Sequence, residues 1–482
     1  MSVRRFAVVE EPISAAALVP LVASPSLGAI CTFEGTVRDH SGQQATTHLE
    51  YEAAAGMAEA IFADEERLIE AEIRDGGSTL TKAQTADVPT AAQCFAYFAE
   101  VLRERSGVHE FTEEMPVPSR NLIIEEPFGV CGLIVPWNFP VAAAAMKVAP
   151  AIAAGNAVVL KPSPHTPASA LMLAEVAHAA GVPAGIFNCV AAPEDELGGA
   201  LVAHPLVDKV AFTGSTRIGK RVMAAAAETL KPLTLELGGK SPSIVLEDAD
   251  LDVTVPGLLF GTFFHGGQIC TSGTRILAPR GLHDELVERL VAASERISVG
   301  DPWDEETTMG PLAFEAHRAN VERYVGLGLE AGATVARGGR RPPGLDRGWY
   351  YEPTILTGVD NSMQVAREEV FGPVVCVIPY DDEEDALRIA NDTPYGLAGS
   401  VWSADLDRAQ RIASRIQAGT VWINDYHLLN VRFPFGGRKG SGFGCEFSPW
   451  GLNEYVTLKH MHIGAMGDPE DKFYTDMLLG PE

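Results

Sequence analysis

The feature that most constrains this chain is a series of short apolar segments, each followed by a helical pattern. Between about Arg120 and Leu246, strand-like segments at Gly129–Val135, Ala157–Leu160, Ile186–Val190, Lys209–Phe212 and Leu233–Glu236 alternate with helices expected at Val141–Ala154, after Pro167 and from Thr216. Apolar strands separated by helices make a parallel sheet covered on both faces. A second region of this kind runs from about Gly238 to Asn424, with a helix at Leu282–Ile297 and strands at Val374–Pro379 and Thr420–Ile423. The fold class read from this pattern is α/β, with two open parallel-sheet units. Ahead of them lie strand-like pieces such as Gly28–Arg38 and one helical stretch, Glu52–Ile73. Behind them lies a strand at Glu454–His460.

Composition narrows the partners. The 482 residues are 46% apolar and 21% charged, which suits folded cores rather than disorder or a coiled coil. A net charge of −27 repels polyanions, so neither nucleic acid nor an anionic membrane surface is expected as a partner. The most apolar stretch, Val141–Leu160, is interrupted by Lys147, Pro150 and Asn156 and does not read as a membrane span. Seven cysteines are scattered without CxxC spacing, which argues against a disulfide framework or a cysteine metal site and for a reducing cytoplasm. No metal site is expected.

Open parallel sheets bind ligands beyond the carboxyl ends of their strands, and three strand ends carry chemistry. After Gly129–Val135 comes Pro136-Trp137-Asn138-Phe139-Pro140, an amide between prolines and aromatics; alone, it reads more often as a turn asparagine. After Lys209–Phe212 comes Thr213-Gly214-Ser215-Thr216-Arg217-Ile218-Gly219-Lys220, which opens a helix and offers backbone N–H groups to a phosphate. It approaches a P-loop, but Arg221 stands where a magnesium-binding hydroxyl belongs, and no GxGxxG is present. The third end is Leu235-Glu236-Leu237-Gly238-Gly239-Lys240. An apolar wall raises a carboxyl pKa and makes Glu236 a candidate base. Further on, Gly266-Gly267-Gln268-Ile269-Cys270 presents a thiol beside paired glycines; a lone cysteine is more often an inert core residue.

Together, these stretches resemble the aldehyde dehydrogenase superfamily over about Asp64–His460. The resemblance rests on Val135-Pro-Trp-Asn-Phe-Pro140, Leu160-Lys-Pro-Ser163, Phe212-Thr-Gly-Ser-Thr216, Leu235-Glu-Leu-Gly-Gly-Lys240 and Gly267-Gln-Ile-Cys270. It continues through Glu368-Glu-Val-Phe-Gly-Pro373, Asn391-Asp-Thr-Pro-Tyr-Gly-Leu397 and Pro434-Phe-Gly-Gly437, in matching order. It implies NAD(P)-dependent oxidation of a small-molecule aldehyde to an acid. Cys270 would be the nucleophile, Asn138 an oxyanion donor, and Glu236 the base that hydrolyses a thioester. Lys147 and Glu446 would pass protons to and from Glu236. NAD or NADP would be held by Ile134, Trp137, Lys161, Ser163, Gly214, Ser215, Glu369 and Phe371. Phe139, Met146, Leu429 and Phe435 would line the aldehyde tunnel, and the hairpin at 115–127 with the Glu454–His460 strand would build a homodimer or homotetramer.

Two departures matter. Pro164 stands where many NAD-specific relatives carry an acid for the ribose hydroxyls, so NADP is also a candidate. Residues 3–60 resemble the amino-terminal half of the molybdopterin synthase large subunit, through Val8-Val-Glu-Glu-Pro-Ile13, Gly28–His40 and Leu49-Glu-Tyr-Glu52, with Arg38 at a basic active-site position. The implied division is a fragment at 1–62, a cofactor unit at 63–236, a catalytic thiol unit at 237–430, and a return segment with an oligomerisation strand at 431–482. Competing readings are acyl transfer from the same thioester, a non-catalytic or poorly folded fusion, and a molybdenum-cofactor-assembly module through residues 1–60.

Overall fold

The computed structural model describes residues 40–41, 44–45, 52–114, 118–192, 196–464 and 472–480. Arg38 and the strand-like segment Gly28–Arg38 lie outside the described residues.

Two parallel sheets dominate. The first has the order Gly442–Phe443, Leu233–Glu236, Lys209–Thr213, Val130–Ile134, Ala157–Lys161, Phe187–Cys189, and only the Gly442–Phe443 strand is antiparallel. The second has the order Thr334–Arg337, Thr354–Thr357, Val374–Tyr380, Arg275–Pro279, Pro242–Val245, Ala398–Trp402, Thr420–Ile423, antiparallel only at its first pair. Alternate side chains feed two cores in the second sheet. Val374, Cys376 and Ile378 pack on one face, and Val375 and Val377 on the other. A strand buried on both faces must be apolar throughout, which is why these segments read as unbroken runs.

The expected helix at Glu52–Ile73 is two helices, Glu52–Ala63 and Glu65–Gly76, separated at Asp64. Met57 and Ile61 of the first lie ahead of the expected boundary at 62, yet pack in one core with Phe98, Leu160 and Leu173. The terminal strand is Val456–Gly464, longer than expected. It pairs antiparallel with Ser119–Pro127, which also pairs with Val108–Glu113. Val108, Phe111, Leu458, Met461 and Ile463 leave apolar surface exposed on this three-stranded sheet. Among the described residues, no helix is long and apolar enough to cross a membrane.

Candidate active site

The first sheet reverses its winding between Val130–Ile134 and Lys209–Thr213. Strands are added outward on one side of Val130–Ile134, and the chain then crosses to the other side. Loops leaving two such strands diverge and open a crevice at the carboxyl ends, the usual ligand position in open α/β sheets. Ile134 and Trp137 leave one strand there, and Gly214 and Ser215 leave the other. The Ser215 hydroxyl accepts from the Ile218 N–H at 3.4 Å and caps the Thr216–Ala227 helix, whose first turn holds no acidic residue. That helix end attracts anions. Gly214 packs so closely on Phe212 that a Cβ would lie 2.6 Å from its ring. Lys161 and Ser163 end the neighbouring strand, both buried. The Ser163 hydroxyl accepts from the His165 N–H at 3.2 Å, while the intervening Pro164 offers no side-chain acceptor.

The second sheet meets this crevice with its amino ends, not the carboxyl ends that the open-sheet rule suggests. Gly239 precedes Pro242–Val245, Cys270 precedes Arg275–Pro279, and Glu369 and Phe371 precede Val374–Tyr380. Buried Arg275 fixes one of these turns by donating to the Lys240 carbonyl at 3.0 Å and the Ile389 and Ala390 carbonyls at 2.8 Å each. Glu369 accepts from the Gly239 N–H at 2.9 Å, and burial pushes its carboxyl up to about 7. A side chain at Gly238 would place Cβ 2.2 Å from a Glu369 oxygen, so only glycine leaves that carboxylate in place. Phe371 adopts a left-handed backbone with φ of 61° and meets the edge of Trp137 at 5.3 Å. Its carbonyl accepts from His317 Nε2 at 2.8 Å. A capped helix end without acids, a buried carboxylate and an aromatic slot are the groups a nicotinamide dinucleotide needs, and they fit one.

The reactive groups lie where the two sheets meet. Asn138 is buried and donates one N–H to the Gln268 carbonyl at 2.8 Å. Gln268 is braced in turn: its amide donates to the His265 carbonyl at 3.0 Å and accepts from the Ala313 N–H at 3.0 Å. The half-buried Cys270 follows two residues later. Burial, then the nearby Glu369 and Glu236, push its thiol up to about 12, while the backbone N–H groups of Thr271 and Cys270 pull the other way. Glu236 is 3% exposed, and neither carboxylate oxygen has a hydrogen-bond partner. Burial and the charge of Glu446 hold its pKa well above the carboxylate range, offset in part by Lys147 and by the nearby Gly437 N–H, which does not reach hydrogen-bond geometry. Lys147 and Glu446 form a buried ion pair. The antiparallel pairing of Gly442 with Glu236 brings this part of the tail back across the first sheet.

Eleven of the thirteen sequence-predicted site residues therefore lie on or beside the two facing sets of strand ends, and the buried Lys147–Glu446 pair acts on Glu236 through its charges. Sequence reasoning gave no role to Gln268 or Lys240, although both stood inside quoted motifs. Lys240 is buried, its amine has no hydrogen-bond partner, and desolvation lowers it to about 8. Nothing in the sequence marks His317 or His427, which the fold brings in from distant segments.

Comparison with known proteins agrees with this geometry. Residues 45–461 match the family model described as the aldehyde dehydrogenase family, and residues 8–81 match the model described as MoaE protein. Betaine aldehyde dehydrogenase of Bacillus subtilis is 44% identical over 408 residues, covering 84% of this chain and 83% of its own length. Geranial dehydrogenase of Castellaniella defragrans is 47% identical over 381 residues, covering 79% and 78%. The crystal structure of betaine aldehyde dehydrogenase from Staphylococcus aureus in complex with NAD+ matches with a TM-score of 0.84 at 38% identity, over 87% of this chain and 83% of that one. The chain belongs to the aldehyde dehydrogenase family and is an NAD(P)-dependent enzyme that oxidises an aldehyde. The second match joins to it a segment resembling a molybdopterin synthase subunit, so the chain is a fusion.

Proposed function

We propose that the enzyme oxidises an apolar aldehyde to its carboxylic acid through a thioester on Cys270, hydrolysed with Glu236 as general base. The observation that carries this reading is the buried, unpartnered carboxylate of Glu236. Buried polar atoms are almost always paired, and a carboxyl group left without partners and raised in pKa is suited to take a proton from water. In the first step the Cys270 sulfur adds to the carbonyl carbon, and the thiol proton leaves to a nearby carboxylate. The second N–H of Asn138 and the backbone N–H of Cys270 hold the oxyanion. Such donors are worth about 3–4 kcal/mol in a transition state. The bound nicotinamide supplies one function, acceptance of hydride from the substrate carbon. With that hydride gone, Cys270 carries a thioester. Glu236 takes a proton from water as it attacks, Cys270 leaves, and Glu446 and Lys147 relay the proton away.

Ile134, Trp137, Gly214 and Ser215 would hold the pyrophosphate side, Lys161 and Ser163 the adenine-side ribose, and Glu369 and Phe371 the nicotinamide ribose and ring. The half-buried Phe139 and Met146, buried Phe435 and exposed Leu429 would line an apolar aldehyde tunnel. One relative is named for geranial, an apolar aldehyde. We place the cofactor unit at 63–236, the thiol unit at 237–430 and the return segment at 431–482, with the fragment at 1–62 ahead of them. The apolar three-stranded sheet is the surface through which copies would assemble as a dimer or tetramer, in the cytoplasm. Purified protein assayed with aliphatic and aromatic aldehydes should reduce either cofactor steadily and release free acid. An acyl product that forms only with added coenzyme A would refute the hydrolytic reading.

A further inference from the structure

The segment from Asn424 to Leu429 approaches the Cys270 loop in an unusual backbone state. Asn424 and His427 both have left-handed backbones, with φ of 55° and 58°. Such strain persists only where the surroundings impose it. The surroundings of His427 are specific. Its Nε2 lies 3.0 Å from the Gly261 carbonyl, and its Nδ1 lies 3.0 Å from the Thr271 hydroxyl. A carbonyl can only accept, so Nε2 carries the hydrogen. Burial lowers this imidazole to about 3, so it is neutral and Nδ1 is a bare acceptor. The Thr271 hydroxyl therefore donates to it.

The neighbouring Tyr426 completes the grip by donating its hydroxyl to the Thr271 carbonyl at 2.8 Å. Gly261 makes room for this arrangement, since a Cβ there would lie 2.7 Å from the Tyr426 ring. Thr271 is thus held at its side chain by His427 and at its carbonyl by Tyr426. Thr271 directly follows Cys270, so these two contacts fix the backbone on one side of the thiol. The Thr271 N–H acts in the same direction, favouring the charged form of Cys270.

We propose that His427 is a positioning residue which, by accepting from the Thr271 hydroxyl, fixes the residue that directly follows Cys270 and so holds the thiol-bearing backbone in the arrangement that attacks the aldehyde. This rests on Cys270 being the nucleophile. In this role His427 acts through Thr271 and not on the reacting atoms. The left-handed backbone restricts what can replace it. Asparagine tolerates that conformation and sets an oxygen near the place of Nδ1, whereas leucine offers no acceptor.

The test is the second-order rate at which iodoacetamide alkylates Cys270 across pH, read by peptide mapping so that Cys445 and other thiols are scored apart. His427→Leu should slow alkylation near neutral pH by up to about tenfold, the upper end of what a single hydrogen bond contributes. It should also move the alkylation midpoint to higher pH and lower kcat, with nicotinamide affinity unchanged. His427→Asn should recover most of the rate. Thr271→Val, which removes the hydroxyl donor, should reproduce the leucine variant, and the double variant Thr271→Val/His427→Leu should be no slower. Wild-type alkylation kinetics in a folded His427→Leu protein, or a defect that asparagine fails to repair while circular dichroism stays native, would overturn the proposal. Cys270→Ala separates the two readings: full turnover in that variant would remove the nucleophile assignment itself, whereas its loss together with wild-type alkylation in His427→Leu removes only the role of His427.

Discussion

The two parallel sheets are built alike but used at opposite ends. The first presents its carboxyl ends to the site, and each strand there runs into a loop whose residues are placed directly by the strand: Trp137 and Asn138, Lys161 and Ser163, Gly214 and Ser215. The second presents its amino ends, so Gly239, Cys270, Glu369 and Phe371 lie on segments that have yet to enter their strands. These segments need separate anchors, and the structure provides them through Arg275 on the Lys240 carbonyl, Gln268 between His265 and Ala313, and Glu369 on the Gly239 N–H. A strand end is a rigid platform, whereas a strand approach is held side chain by side chain. A site made from one of each can keep a cofactor fixed while the thiol-bearing segment adjusts.

The first sheet carries most of the cofactor contacts and the second carries the nucleophile, so cofactor binding and covalent chemistry should separate by mutation. The largest effect is expected at Cys270→Ala, with dehydrogenase turnover removed and NAD affinity by calorimetry within about twofold of wild type, since no part of the first-sheet crevice changes. A joint loss of binding and turnover would show the division to be artificial. Glu236→Gln keeps the size and removes the base. Steady turnover should fall by about 10²–10⁴-fold, while a burst of up to one reduced cofactor per site survives and intact mass detects an acyl group on the protein.

A smaller effect is expected from charge alone. Glu446 raises the pKa of Glu236 and Lys147 lowers it. Glu446→Gln removes the first influence and leaves the second, so the Glu236 pKa should fall. The base is active when deprotonated, so the rising limb of deacylation rate against pH should move to lower pH. A shift to higher pH would mean that the tail carboxylate supports the charged base rather than opposing it. The smallest effect concerns the outer rim of the first crevice. With Pro164 in place of a ribose-binding acid, kcat/KM should differ between NAD and NADP by less than about tenfold. A hundredfold preference for NAD would show that another residue reads the ribose.

The same contrast explains what was legible in the sequence. The five parallel strands of the first sheet were found to within a residue or two, and Leu233–Glu236 in full, because apolar runs alternate there with helices and end on glycine, proline or hydroxyl signals; the two-residue Gly442–Phe443 strand was not found. Asn138, Gly214 and Glu236 sit beside those ends and could be found with them. In the second sheet the strands at Pro242–Val245, Arg275–Pro279, Thr334–Arg337, Thr354–Thr357 and Ala398–Trp402 were missed, since each is four or five residues long and begins with a charged, hydroxyl-bearing, small or cyclic residue. The orientation of that sheet toward the site was not legible either, because nothing in a single strand tells which end a distant partner will meet. The break at Asp64 escaped notice because apolar spacing continues on both sides of it. His427, Gln268 and Lys240 act through contacts spanning large sequence separations, and such contacts leave no local pattern. Cys270 could be assigned a role only through the resemblance to a known family.

The antiparallel pairing of Gly442–Phe443 with Leu235 and Glu236 has a consequence for biosynthesis. The first sheet can assemble five of its strands soon after residue 236 leaves the ribosome, but its edge stays open until the tail arrives. At roughly 5–20 residues per second, the interval between synthesis of Glu236 and Gly442 is on the order of 10–40 s. Through that interval the nascent sheet exposes the backbone of its edge strand, the kind of surface that templates wrong pairing. The same wait postpones the chemistry, because the Lys147–Glu446 pair cannot form before the tail returns. The nascent chain is therefore most exposed to misassembly during the period in which it cannot yet turn over an aldehyde.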